Sequence, residues 1–145
     1  MHTLPLRLHP GQDLRAALDQ VLIEQALINA MLGAAFVLQG IGSLSVAQLR
    51  LAGAGHSTEL RGDLEILTLA GTLSRDGSHL HMALADAQGR VMGGHVAPGC
   101  IVRTTAEILL ALLPGRRFTR APDPLTGYLE LAIGSVPAGA AVEPR

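Results

Sequence analysis

Lysine and tryptophan are missing altogether from this 145-residue chain, and cysteine and tyrosine occur once each. A lone cysteine, Cys100, excludes an intrachain disulfide and points to a reducing compartment. With two Phe, one Tyr and no Trp, the chain can hardly build a base-stacking platform for single-stranded nucleic acid. It also lacks an excess of charge. Eleven basic residues, all Arg, stand against twelve acidic ones, for a net charge of −1, which gives no global attraction to DNA or to an anionic membrane. The most apolar run, residues 21–38, is interrupted by Glu24, Gln25, Asn29 and Gly33, too polar and too short to span a bilayer. The first residues lack the apolar core of a signal peptide. These features lead us to expect a soluble, cytoplasmic protein without membrane partners. No Walker A, Gly-x-Ser-x-Gly or Cys-x-x-Cys motif is present. "GIGSL" has two glycines of a dinucleotide fingerprint but not the third, and reads as a tight bend.

What is present is aliphatic: 48% of residues are hydrophobic and 16% charged, with mean hydropathy +0.35. The length suits one domain. So few charges leave apolar surface to be hidden between subunits, so an oligomer is expected. Residues 3–8 read as a strand. Leu14, Leu18, Val21, Leu22 and Ala26 recur at helical spacing over residues 13–31, with Asp13 at the start and Gly33 as a left-handed cap. "AAFVLQGIGSL" reads as a strand running into a bend. "SVAQLRLAG" balances a Ser45–Gln48 capping box against the alternation Leu49-Arg50-Leu51, which favours a strand. "LEILTLAGTLS" is a strong strand. Thr104 and Glu107 form a capping box ahead of "EILLALL", which predicts a second helix. "RRFTRAPDPLTG" reads as a loop with a short strand near Phe118, and "YLELAI" as the last strand. The fold class expected is α+β: a single compact domain over residues 1–133, with a mostly antiparallel sheet and two main helices, and a flexible tail over 134–145.

Three of the six histidines, His79, His81 and His95, fall within "SHLHMALADAQGRVMGGH". Two alternating runs joined by "DAQG" predict a hairpin. Residues i and i+2 of a strand share a face, so His79 and His81 project together, and a turn near Ala87-Gln88 returns His95 or Gly94 opposite His81. Three imidazoles on one face suit a divalent ion of the zinc type, with a fourth position left open for a ligand or a small molecule. Gly93 and Gly94 would kink the strand and keep the site uncrowded. The alternative is three hydrogen-bonded polar residues on a half-solvated sheet face.

Metal-assisted chemistry would need an acid or base, for which Glu65, set in an apolar strand, is the candidate. Arg103 and Thr104 would sit at the start of the second helix, where an anion could bind, although capping suffices to explain Thr104. Cys100 reads as a small core residue. Arg116, Arg117 and Arg120 form a basic cluster that could touch a phosphate backbone, but reads more simply as a solvated loop.

"GIGSLSVAQLR", "GDLEILTLAGTLSRDGSHLHMALADAQGRVMGGHV", "GCIVRTTAEILLALLP" and "DPLTGYLEL", in this order, resemble the plants-and-prokaryotes-conserved (PPC) domain over about residues 7–131. The resemblance implies an α+β domain assembling as a homotrimer, in the form of a bacterial stand-alone member. Plant members carry an AT-hook for DNA; no such segment is found here, so nucleic acid is not an expected partner of this chain alone. "GDLEIL" resembles a plant segment linked to partner binding, which would place Gly62 and Glu65 in a partner surface, with Asp63 and Leu64 as departures. The histidine pattern is also similar to that of three-histidine zinc enzymes such as acetolactate decarboxylase. Three functions follow as expectations: a trimeric metal-binding module, a zinc-dependent lyase or hydrolase, or a DNA-associated regulator.

Overall fold

The computed structural model describes residues 2–137. Eight strands and one helix follow in the order β1 (His2–Leu8), α1 (Leu14–Ile28), β2 (Ala35–Arg50), β3 (Thr58–Leu73), β4 (His79–Ala85), β5 (Val91–Val96), β6 (Ile101–Leu112), β7 (Arg116–Pro122) and β8 (Leu129–Ser135). The first six strands form one sheet in the order β1-β6-β2-β3-β4-β5, antiparallel at every junction. The far end of β2 also reaches β5, pairing Leu49 with Val96 and Arg50 with His95. Strands β2 to β5 therefore close on themselves, which protects strand edges that would otherwise be open to other chains. Strands β7 and β8 form a separate hairpin.

The enclosed side is almost purely aliphatic. Leu14, Leu18 and Leu22 of α1 meet Leu44 and Leu49 of β2, Leu69 and Leu73 of β3, Leu80 and Leu84 of β4 and Leu110 of β6, all buried. The helix spacing read from the sequence is thus the core stripe of α1. Asp13 caps it, accepting from the Arg15 and Ala16 amides at 2.9 and 3.0 Å. The helix stops at Ile28, and its C-cap is Asn29 in extended geometry rather than Gly33. Gly33 instead lets Arg116 and Arg117 approach its backbone, and forms a bridge to Arg117.

Two expectations are corrected. The described residues contain one helix, because residues 101–112 are strand β6. Ala106, Ile108 and Leu110 point inward while Glu107 and Leu109 point out, a period of two that the sheet rewards and a helix would waste. Thr104 spends its hydroxyl on Ser43 Oγ at 2.6 Å rather than on a helix end. The "GIGSL" bend is also absent: β2 runs unbroken for 16 residues and absorbs the glycines as irregularities in register. At the other end of the chain, β8 continues through Gly134 and Ser135 into the segment expected as a tail, and residues 138–145 lie outside the described residues.

Gly71 is the glycine that matters most for the hairpin. Its φ is 152°, and a Cβ there would collide with the His79 carbonyl on β4. Gly89, at the hairpin turn with φ 76°, has nothing within 4 Å of such a Cβ. Gly71→Ala should therefore lose more stability than Gly89→Ala, which carries backbone strain alone, about 1–3 kcal/mol. Urea unfolding of the two variants checks this; equal losses would mean that the β3–β4 contact yields freely.

Candidate metal centre

The hairpin of β4 and β5 is set by its turn. Asp86 accepts from the Gln88 and Arg90 amides through Oδ1 at 2.9 and 3.0 Å, and the Gly89 amide donates to the Asp86 carbonyl at 2.9 Å. Leu80, Met82 and Leu84 face the core, so His79 and His81 face away from it. The register then pairs His81 with His95, as the alternation predicts. Gly93 and Gly94 cause no kink, for β5 is continuous across them and neither has a positive φ. Their role is close approach: a Cβ on Gly94 would meet the Arg50 carbonyl oxygen at 2.7 Å, and one on Gly93 the Met82 carbonyl oxygen at 2.9 Å.

The three imidazoles converge. One ring nitrogen from each lies within 4.8 Å of the other two. His79 Nε2 and His81 Nε2 are 3.2 Å apart, which suits a hydrogen bond between them and equally the edge of a tetrahedron with metal–nitrogen bonds of about 2.0–2.1 Å. His95 Nδ1 is buried and has no hydrogen-bond partner. A ring whose buried nitrogen has no partner, set beside two other imidazoles, is not the fully hydrogen-bonded sheet histidine of the alternative reading.

Electrostatics favour the neutral, ligating form. Burial is the main cause that lowers His95 to about 4, with the positive fields of His79, Arg50, Arg15 and His81 adding to it. His79 is lowered for the same first reason, with Arg120, His81 and Arg15 adding and Glu130 opposing.

Two arginines frame the site, and neither role was legible in the sequence. Arg15 falls on the polar side of the α1 wheel, yet its guanidinium turns inward. It donates to the Ser78 carbonyl and to the Val96 carbonyl, each at 2.7 Å. Ser78 precedes His79 and Val96 follows His95, so one side chain clamps the open end of the hairpin. Arg120 belongs to the basic cluster, but the structure separates it from its neighbours. Arg116 and Arg117 are exposed, whereas Arg120 donates to Thr72 Oγ1 at 3.0 Å and its amide to Asp76 Oδ2 at 3.0 Å. Thr72 is the β3 partner of His79. Thr72, Arg120 and Leu131 line an open groove of about 370 Å³ with His79 and His81.

Other candidates lie elsewhere. Glu65 is exposed on the same outer face, but its β4 partner is Ala85, four residues beyond His81 or roughly 13 Å along the strand. The structure does not bring it to the histidines within one chain. Gly62 is exposed with φ 125°. Arg103 pairs with Asp63 at 2.9 Å and faces no helix end, since none exists there. Cys100 is buried beneath β2, where its sulfur accepts from the Gln48 amide at 3.2 Å and burial raises its thiol pKa, as suits a core residue. No helix is long and apolar enough to cross a membrane among the described residues.

The lowered histidines have a consequence for metal-free protein. Below about pH 6.5 the unfolded chain holds protons that folded His79 and His95 refuse, so the folded state loses stability as pH falls from 6.5 toward about 4. Urea midpoints measured in chelator should fall across this window, and His95→Gln should flatten the fall. A slope identical in the variant would show that His95 does not carry it.

The Plants and Prokaryotes Conserved (PCC) domain model matches residues 1–114. A Salmonella enterica protein of known structure is 40% identical, with TM-score 0.86, covering 92% of this chain and 94% of its own. A metal-containing protein from Archaeoglobus fulgidus is 27% identical, with TM-score 0.72, covering 91% of this chain and 94% of its own. Among curated relatives, the bifunctional protein GlmU of Synechococcus sp. (strain JA-3-3Ab) is 53% identical over 136 residues. That match takes in 94% of this chain but only 21% of the relative. Fold, hairpin and family match agree: the chain belongs to the Plants and Prokaryotes Conserved domain family.

Proposed function

We propose that this protein is a binding module that holds one divalent metal ion, of the zinc type, with His79, His81 and His95. The observation that carries the reading is the convergence of one ring nitrogen from each of three histidines within 4.8 Å. A bound ion would offer Lewis acidity at an open position. The chain's own residues favour and fix the ligating form: burial disfavours protonation of His79 and His95, Arg15 clamps the hairpin, and Arg120 faces the groove. The structural relative from Archaeoglobus fulgidus that is described as metal-containing supports the same reading.

The module works as a homotrimer in this reading. Phe36, Leu38, Ile41, Leu67 and Leu109 are exposed on the outer face of the sheet, an apolar stripe that self-association would cover. The exposed β3 segment with Gly62 and Glu65 is then the surface for a further partner. A zinc-dependent lyase or hydrolase is the second reading, favoured by the groove that leaves the histidines open to a small molecule. The activity of the whole GlmU relatives is not carried over, since the chain spans about a fifth of their length.

Elemental analysis of untagged, chelator-free protein, with the mass from light scattering, is the test. About one metal ion per chain on a particle of three chains is expected, and His79→Ala with His81→Ala should abolish the metal while leaving the fold. Wild-type protein that refuses added zinc would end the metal reading, and a monomer would end the trimer.

A further inference from the structure

The groove beside the histidines has an asymmetric chemistry. Ala70, Gly71 and Leu131 give it an apolar floor and wall, and Arg120 supplies its cation. The Arg120 guanidinium is tethered through Nη2 to Thr72, beside His79. Among the described residues it has no carboxylate within ion-pair distance, in contrast to Arg61, Arg90 and Arg103. Its remaining N–H groups are therefore available to a ligand. A guanidinium fork matches a planar carboxylate with two parallel hydrogen bonds.

We infer that Arg120 is the anion-binding residue of this site, and that the groove takes a small carboxylate with a short apolar body. The carboxylate faces Arg120 beside the three histidines, and the apolar body lies on Ala70, Gly71 and Leu131. A planar carboxylate matches the guanidinium fork, and the apolar lining of Ala70, Gly71 and Leu131 suits a ligand with a hydrocarbon body better than a fully hydrated phosphate. The inference rests on the metal reading above, because the ligand is recognised by Arg120 and the metal-holding histidines together.

The 145-residue chain loaded with cobalt is titrated with butyrate, inorganic phosphate and n-butylamine, and binding is read from the visible absorption of the metal. Metal content is measured first on every sample. Butyrate should shift the spectrum saturably, phosphate should bind more weakly, and butylamine should do nothing. Arg120→Gln should retain its metal and bind butyrate about tenfold more weakly or worse, with Arg120→Lys in between. Thr72→Val, which keeps the charge but frees the guanidinium, should show a smaller loss. Wild-type protein that loads metal but ignores butyrate overturns this inference alone, as does an Arg120→Gln variant that binds butyrate like wild type. Phosphate binding as tightly as butyrate overturns the carboxylate assignment. Protein that takes up no metal overturns the proposed function and this inference with it.

Discussion

The register of one hairpin carries the rest of this site. His81 stands opposite His95, and a slip by one residue would turn every side chain of one strand to the other face. Two features forbid the slip. Leu80, Met82 and Leu84 must face the core, and the Asp86–Gly89 turn fixes where the chain reverses. The return of β5 onto β2, with Arg50 beside His95, closes the strands and leaves the hairpin no room to drift. Glycines at 71, 93 and 94 make that close approach possible, because a Cβ at any of them would strike a neighbouring carbonyl.

Packing and electrostatics work together at the open end of the hairpin. Arg15 reaches from the helix to the carbonyls on either side of the histidines. The same guanidinium that holds the strands places a positive field next to His79 and His95 and disfavours their protonation. A bound cation would feel that field as a cost, which an anionic ligand near Arg120 would relieve. The arrangement therefore favours an ion together with an anion over an ion alone.

The comparison of sequence and structure is most instructive at residues 101–112. Thr104 and Glu107 satisfy a local signature for a helix start, and "EILLALL" has good helix formers. The sheet wins because β6 sits between β1 and β2, pairing with β1 over residues 106–112 and with β2 from Ile101 to Leu112. Two ladders of hydrogen bonds and an inward row of Ala106, Ile108 and Leu110 outweigh a propensity difference of a few tenths of a kcal/mol per residue. The reverse holds at residues 49–51, where the alternation Leu49-Arg50-Leu51 outweighed a possible Ser45–Gln48 box and the strand is there through Arg50.

By itself, the sequence determined the helix stripe of Leu14, Leu18 and Leu22, the alternation of several strands, and the β4–β5 hairpin with its three convergent histidines. Each of these depends on residues close in the chain, where the periods of 2 and 3.6 and the turn residues speak directly. Only the tertiary structure decided that Arg15 clamps the hairpin across 63 and 81 residues, and that Arg120 comes to Thr72 across 48. It also decided that Glu65 stays apart from the histidines and that residues 101–112 are extended. Such choices turn on which strands become neighbours. No local pattern encodes that, because burial and ladder pairing are properties of the closed sheet and not of any segment within it.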